Sequence, residues 1–410
     1  MQITLPKGLD LSKEIIDYNS RWDDKYKWVI HSILFTYFTN QTDWDRYVNL
    51  NFSILKKFIG ERYLKKVLTS LIDSDIITVS KSYSAGEYSR SYKLTDRFKD
   101  CKFQSHRLKK SEQYKRKVDT IVTDSLKRTL QGNKVLQSEF RALTYNRIAL
   151  KPALKYIQSN YEKGTRQYIS RIHAIRQYNA MKDANFNDWS YSIDFVFKYI
   201  GGRLYTPASM LPRDLEQFTY FDDYETEDVA VLDMPTSQPK FYDRMINGKP
   251  SGIDTPYQKL LFNSDKDLYY TLMTLISYKD KSNHTPEERQ EFKQYFYGNL
   301  FFNKYTPKDK RTVLEQAFAI NYPNDAKKLL SLKYRIGNSA LAKRVHKLEG
   351  KLFHVQIVSF MEKNYKYIPY SIKHDSIKIP IRFVDELKPQ FEEIISSYFG
   401  RQLELNLETK

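Results

Sequence analysis

AVLDM at 230–234 and YIPYSIKHDSIKIPI at 367–381 are the stretches that decide the fold. The first is a short apolar run that reads as a strand and ends in an acid, Asp233. The second has the apolar content and β-branching of a hairpin, with His374-Asp375 at its turn. Long helices accompany these strands. Thr285-Pro286-Glu287-Glu288 opens one of them, with a Thr N-cap, Pro in the first turn and early acids. LAKRVHKLEGKLFHVQIVSFMEKN at 341–364 reads as a second, amphipathic helix just before the hairpin. Strands carrying acids, interleaved with helices, predict an α+β domain over 190–410.

The N-terminal hundred residues have a different grammar. KYKWVIHSILFTYFT at 26–40 carries apolar residues at helical spacing, and NFSILKKFI at 51–59 reads as a second helix. The segment 61–74 follows, with Tyr63, Leu64, Val67, Leu68 and Leu71 on one face. IITVSKSYSAGEYSRSYKL at 76–94 alternates in period two on either side of Ser84-Ala85-Gly86, as a β-hairpin does. Helices followed by a two-stranded wing resemble the winged-helix family over 1–100. In that family the last helix enters the major groove and the wing touches the backbone. The resemblance implies nucleic-acid contacts at Arg62, Lys65, Lys66, Lys81 and Arg90; a winged helix that binds only protein is the other reading. Residues 101–189 are polar, with helical segments of strong basic bias such as HRLKKSEQYKRK, and a boundary falls near 184–190.

Bulk properties narrow the partners. A chain of 410 residues with 41% hydrophobic content buries a sizeable core and divides into two or three domains. The net charge of +18 points to a polyanion, because Lys and Arg displace condensed counterions from phosphates. The basic residues are spread along the chain rather than gathered on one amphipathic helix, which argues against a membrane surface. No apolar run reaches the ~18 residues of a membrane span, and the N-terminus has no apolar targeting core, so a cytoplasmic location is expected. Cys101 is the single cysteine, which excludes an intrachain disulfide and a thiolate zinc site. The 33 tyrosines and 24 phenylalanines fit base-stacking platforms and A·T-rich codon usage equally well.

Four pieces in chain order have a joint chemical logic. They are Gly201-Gly202-Arg203-Leu204, Asp233 with Ser237-Gln238, Arg289/Lys293/Tyr297 on one helix face, and His374-Asp375-Ser376. Phosphoryl transfer from a nucleoside triphosphate needs two divalent cations, about 4 Å apart, gripped by carboxylates from different strands. Asp233 and Asp375 supply such carboxylates, for Mg2+ or Mn2+. Arg289 and Lys293 lie one helical turn apart and match a triphosphate tail. Tyr297, one turn on, matches a base or sugar.

This order of pieces resembles the signature of family A DNA polymerases and their relatives, the phage-type single-subunit RNA polymerases. The resemblance covers about 190–400. It implies a right-hand palm, fingers and thumb, with palm and fingers at 190–410 and the basic 101–189 region in the place of the thumb. It implies catalytic and metal-holding roles for Asp233 and Asp375, and substrate binding by Arg289, Lys293 and Tyr297. It further implies primer-strand or template contacts by Arg203, Gln238 and His374, the last being equally well a histidine bonded to local backbone. Glu349 and Gln356, on the preceding helix, would face the primer or metal site or else be surface-polar positions. The chain departs from the family where Met234-Pro235-Thr236 separates Asp233 from Ser237-Gln238. It also carries Ser376 after His-Asp, as in the RNA enzymes, and Phe301 where Tyr is common.

The expected function is template-dependent nucleotide polymerisation, DNA synthesis ahead of RNA synthesis, in a phage, plasmid or mobile element. The partners are then DNA, or RNA, and nucleoside triphosphates. The alternative is a non-catalytic winged-helix replication initiator bound to origin DNA. A nucleoside-triphosphate motor is disfavoured because no G-x-x-x-x-G-K-[ST] loop occurs. A nuclease would leave the Arg289/Lys293 helix unexplained.

Overall fold

The computed structural model describes residues 2–40, 44–50, 52–80, 91–183, 197–200, 202–248, 253–263, 266–280 and 283–410. The fold is a helix-rich α+β arrangement, as the interleaved pattern predicts. The chain divides into two compact units. The first comprises Met1–Lys134, Phe140–Phe197 and Thr206–Glu225; the second comprises Val135–Glu139, Lys198–Tyr205 and Thr226–Lys410. Among the described residues no helix is long and apolar enough to cross a membrane.

In the first unit the helix Asp23–Asn40 is the core element, with Tyr26, Val29, Ile30, Ile33, Leu34, Tyr37 and Phe38 buried along it. The expected helices follow as Phe52–Ile59 and Glu61–Asp73. Gly60 joins them at φ +93, a backbone conformation that β-carbon-bearing residues rarely adopt. Leu64, Val67, Leu68 and Leu71 are buried as the periodicity requires, and Tyr63 is half-buried. Strands Ile77–Val79 and Ser91–Leu94 pair antiparallel, with Ile77 opposite Leu94. A third strand, Val48–Asn49, completes a sheet in which Ser91–Leu94 is central. The turn at 84–86, Lys81 and Arg90 lie outside the described residues.

The expectation of purely helical structure after residue 101 needs one correction. Phe103–Arg107 is a strand that pairs antiparallel with Gln2–Pro6, Gln2 opposite Arg107. Phe103 is buried, as are Ile3 and Leu5 on the partner strand, while the strand's outward positions are polar. The basic composition that masks this alternation in the sequence belongs to the outward face. The helix Ser111–Leu130 follows, and its Tyr114 ring stacks on Phe58, which itself stacks on Trp28, at centroid distances of 4.1 and 4.0 Å.

The second unit is built on a four-stranded antiparallel sheet in the order Ser371–Lys373, Ser376–Pro380, Val229–Asp233, Asn406–Thr409. The predicted strand at 230–234 is therefore interior and apolar, and the predicted hairpin at 367–381 is its neighbour. Asp233 pairs with Ser376 on one side and Asn406 on the other. Helices Ser237–Asn247 and Val384–Phe399 bury Phe241, Tyr242, Leu387, Phe391 and Ile395 in this unit's core. The helix expected at 341–364 begins earlier, at Pro323, and runs to Gly350 with a break at Gly337 (φ +76). It continues through a stretch of wider i→i+5 turns, Lys351–Ile357, into Val358–Asn364.

Two buried histidines make the first unit acid-sensitive. The Thr4 amide donates to His31 Nδ1 at 3.1 Å, and Thr4 Oγ1 lies 3.1 Å from His173 Nε2. Burial lowers both basicities, His173 from 6.5 to about 3. The folded state therefore holds neutral rings while the unfolded chain takes up protons. Stability is complete above the ordinary histidine pKa of 6.5 and falls as pH drops from there toward about 3. The expected loss is up to about 1.4 kcal/mol per pH unit for each histidine. Urea titrations of the full chain across this range, beside His173→Gln, check it; a slope unchanged by the substitution counts against the assignment.

Candidate active site

The two acids singled out in the sequence are brought together by strand pairing. Asp233 ends its strand opposite Ser376, one residue from Asp375 at the hairpin turn. The Met234 amide then donates to the Asp375 carbonyl at 3.1 Å, so a single backbone hydrogen bond links the two positions. His374, the first turn residue, takes φ +59, as the tip of a two-residue hairpin loop demands. Both carboxylates are half-exposed.

The interposed Met234-Pro235-Thr236 has a structural use. Thr236 adopts a left-handed conformation (φ 53, ψ 34) directly before the helix Ser237–Asn247. This kink lets Ser237 Oγ donate to the Asp375 carboxylate. Lys240, 3% exposed, donates to the Pro235 carbonyl at 2.6 Å and pins the same loop. Burial pushes its ammonium down to about 8. Nothing in the sequence marks Lys240, since an exposed helical lysine looks the same.

Arg203 reaches the site through an unusually close backbone approach. Gly202, at φ +97, turns the hairpin of Lys198–Ile200 and Arg203–Tyr205. A β-carbon on Gly202 would sit 2.7 Å from the Lys347 amide nitrogen, and one on Gly350 would overlap the Gly202 carbonyl. Two glycines therefore let the hairpin lie on the helix Pro323–Gly350. That contact delivers Arg203 to Glu349 in a two-pronged pair, Nε to Oε1 and Nη2 to Oε2, both 2.6 Å. Gln238 adds a bond to Glu349 Oε2 at 3.0 Å. Glu349 is fully buried, not a surface position; burial raises its pKa, Arg203 opposes that, and Asp375 adds to it. Gln356 is half-buried on the same long helical segment.

The histidines nearby are neutral at ordinary pH. Burial, with the Arg203 charge next, takes His374 down to about 3 and His346 to about 4. His374 Nδ1 is buried without a hydrogen-bond partner among the described residues. Gln238 Oε1 is in the same condition.

The third sequence piece is the helix Pro286–Phe296, opened by the expected Thr285–Glu288 capping box. Arg289 does not stand free on it. Its Nε and Nη2 donate to Asp267 Oδ2 at 2.9 and 2.5 Å, and the pair raises its pKa. Asp267 also caps the helix Leu268–Leu275. Lys293 lies 5.9 Å from the Tyr269 ring centre and has no carboxylate partner among the described residues. Tyr297 follows the helix, its hydroxyl 2.9 Å from that of Tyr269. Burial raises both phenols, Tyr269 to about 12, and the Asp375 charge contributes to each. The ring pair is thus within electrostatic range of Asp375.

Of the remaining candidates, Arg62, Lys65 and Lys66 are exposed on Glu61–Asp73 in the first unit. Among the described residues no group of three or more His, Cys, Asp or Glu is placed to hold a metal ion. The donor set at the hairpin is therefore two carboxylates, Asp233 and Asp375. Hard oxygen donors in that number fit Mg2+, which is commonly held by one or two protein carboxylates, the rest of its shell coming from water and substrate phosphate.

No protein-family model matches the chain, and no curated protein matches it. Among solved structures the chain is similar to the POL domain of Pol1 from M. smegmatis in complex with DNA primer-template and dNTP. The identity is 10% and the TM-score 0.42, over 60% of this chain and 51% of that one. The match thus spans about half the length of that structure.

Removing Glu349 should expose how much rests on the Arg203 pair. Glu349→Ala leaves a largely buried guanidinium uncompensated and should cost about 3–5 kcal/mol, with Glu349→Gln less harmful. Gly350→Ala, which opposes two backbones, should cost about 1–3 kcal/mol. Urea unfolding monitored by circular dichroism measures both. Wild-type stability in Gly350→Ala would mean that the close approach is not needed.

Proposed function

We propose that the second unit is a template-dependent nucleotidyltransferase that joins nucleoside triphosphates by two-metal phosphoryl transfer. The observation that carries this reading is the strand register that sets Asp233 opposite Ser376, one residue from Asp375, with the Met234 amide bonded to the Asp375 carbonyl. Asp233 and Asp375 stand at neighbouring backbone positions at one end of the sheet, and two carboxylates converging there would repel each other and any bound phosphate unless cations intervened. Asp233 and Asp375 would hold the Mg2+ or Mn2+ ions. Such ions, when bound, lower the pKa of an attacking 3′-hydroxyl and neutralise the departing pyrophosphate.

The chain's own residues account for the other requirements. Ser237 donates to Asp375 and fixes its carboxylate orientation. Lys293 supplies the uncommitted cation for the triphosphate, while Arg289 reaches phosphate only by sharing or exchanging Asp267. Neutral His374, next to Asp375 in the hairpin turn, would contact the primer terminus. Tyr297 lies beside the site as a surface for base or sugar. Arg203 and Gln238 are held beside the site by Glu349, and Arg203 would contact the nucleic-acid strand.

In this reading the protein is a relative of family A polymerases, with palm and fingers at 190–410 and a thumb-like region at 101–189. Residues 1–100 are a winged helix. The order helix, short strand, helix, helix, paired strands, with the first strand against the last, supports it. Its exposed Arg62, Lys65 and Lys66 would meet the nucleic acid. A replicative element with its own DNA-binding domain favours DNA over RNA synthesis and a phage, plasmid or other mobile element as its source.

Primer extension with labelled dNTPs or NTPs and Mg2+ tests the proposal. Wild-type protein should incorporate nucleotide, and Asp233→Asn and Asp375→Asn should each lose at least about a thousandfold, the scale of removing a central charge-stabilising group. Circular dichroism confirms that the variants fold. No incorporation with either sugar, on primed and unprimed templates, would overturn the reading.

A further inference from the structure

The first unit gathers cations that the fold does not neutralise. Lys25 Nζ lies 3.8 Å from the centre of the Tyr63 ring, and the Arg62 guanidinium carbon lies 4.5 Å from the same centre. Two positive groups share one ring. Lys110 and Lys117 complete the group, since both repel Lys25 along with Arg62, adding to the effect of burial in lowering its pKa. None of the four has a carboxylate partner among the described residues. Arg62, Lys110 and Lys117 are exposed, and Lys25 is half-buried.

Two buried acids beside the group are already committed. Asp24 Oδ1 and Oδ2 accept the backbone amides of Lys109 and Lys110 at 3.0 and 2.9 Å, which caps the start of the helix Ser111–Leu130. Asp23 takes Lys27 at 2.9 Å and Lys109 at 3.4 Å. Buried carboxylates therefore fix the backbone that carries Lys110 without cancelling its charge. An open depression of about 590 Å³ continues from Lys110 to Arg107, lined by three cations, Arg107, Lys109 and Lys110, against one acid, Glu112. Close like charges raise the energy of the free protein, and a polyanion relieves it by counterion release.

We propose that Lys25, Arg62, Lys110 and Lys117 form a phosphodiester-binding track that holds a nucleic-acid backbone without reading its sequence. The Tyr63 ring is covered by cations, so no base stacks there, and grip comes from phosphates alone. The track is additional to the Lys65 and Lys66 contacts and rests on the reading of the first unit as a nucleic-acid-binding unit.

The test is fluorescence anisotropy with the full chain, a labelled oligonucleotide as single strand and as duplex, and a salt titration. Lys110→Gln/Lys117→Gln should weaken binding uniformly across sequences. The slope of log affinity against log salt should shrink by about 1 for each phosphate that is no longer neutralised. Lys65→Gln/Lys66→Gln serves as the second variant, and circular dichroism reports folding of both. An unchanged slope in Lys110→Gln/Lys117→Gln, with Lys65→Gln/Lys66→Gln impaired, overturns the track and leaves the nucleic-acid reading standing. Wild-type protein that binds neither oligonucleotide overturns both. Binding instead to phosphatidylserine vesicles, abolished in Lys110→Gln/Lys117→Gln, also overturns the proposal by replacing the partner.

Discussion

The register between Val229–Asp233 and Ser376–Pro380 is the constraint on which the second unit depends. Val229 faces Pro380 and the pairing runs without a bulge to Asp233 and Ser376. Side chains alternate along both strands, so a slip of one residue would turn every apolar side chain to the other face. Both faces are packed, with Val229 and Val231 on one and Ala230, Leu232, Ile377 and Ile379 on the other, so a slip would have to repack the two faces at once. Hydrophobic burial thus sets a polar outcome. The same register that keeps the apolar side chains inside places two acids at one end of the sheet, joined by the Met234 to Asp375 bond.

A second constraint works through absence of side chains. Gly202 and Gly350 face each other so closely that neither tolerates a β-carbon. Their approach lets a short arginine-bearing hairpin settle on a long helix, and the buried Arg203–Glu349 pair follows. Buried pairs of this kind contribute little net stability against an apolar replacement, but they are severe about geometry. Glu349 also takes Gln238 from the helix that begins at Ser237. One carboxylate therefore ties three elements to fixed positions around the hairpin turn, and Ser237, next to Gln238 in sequence, reaches Asp375.

Features governed by local rules were legible in the sequence. The Thr285–Glu288 capping box begins its helix where the residues indicate, because all its partners lie within one turn. Glu61–Asp73 buries the leucines and valine that its spacing marks. The strand that ends at Asp233 and the hairpin with Asp375 at its turn were readable because both are short apolar, β-branched runs. Properties set by distant neighbours were not. Glu349 lies on a helix whose periodicity is interrupted at Gly337 and again by wider turns, so its burial has no clean pattern. Asp267 caps its own helix, and its pairing with Arg289, 22 positions away, leaves no mark on the local sequence. The strand Phe103–Arg107 hides under outward polar and basic residues because its partner, Gln2–Pro6, lies about a hundred positions earlier.

The net charge of +18 is a sum, and the sum conceals two different uses of cations. At the candidate active site arginines are matched to acids: Arg203 to Glu349 and Arg289 to Asp267. Charges there are held in place, as chemistry at a defined atom requires. In the first unit, Arg62, Lys110 and Lys117 are left exposed while Asp23 and Asp24 are turned to Lys27, Lys109 and the backbone. Cations kept unpaired add little to internal order and much to long-range attraction. Gripping a polyanion calls for mobile, uncancelled charge, whereas holding groups at defined positions calls for fixed, balanced charge. Composition alone reports only the excess, and the pairing pattern shows where, among the described residues, charge is left uncancelled.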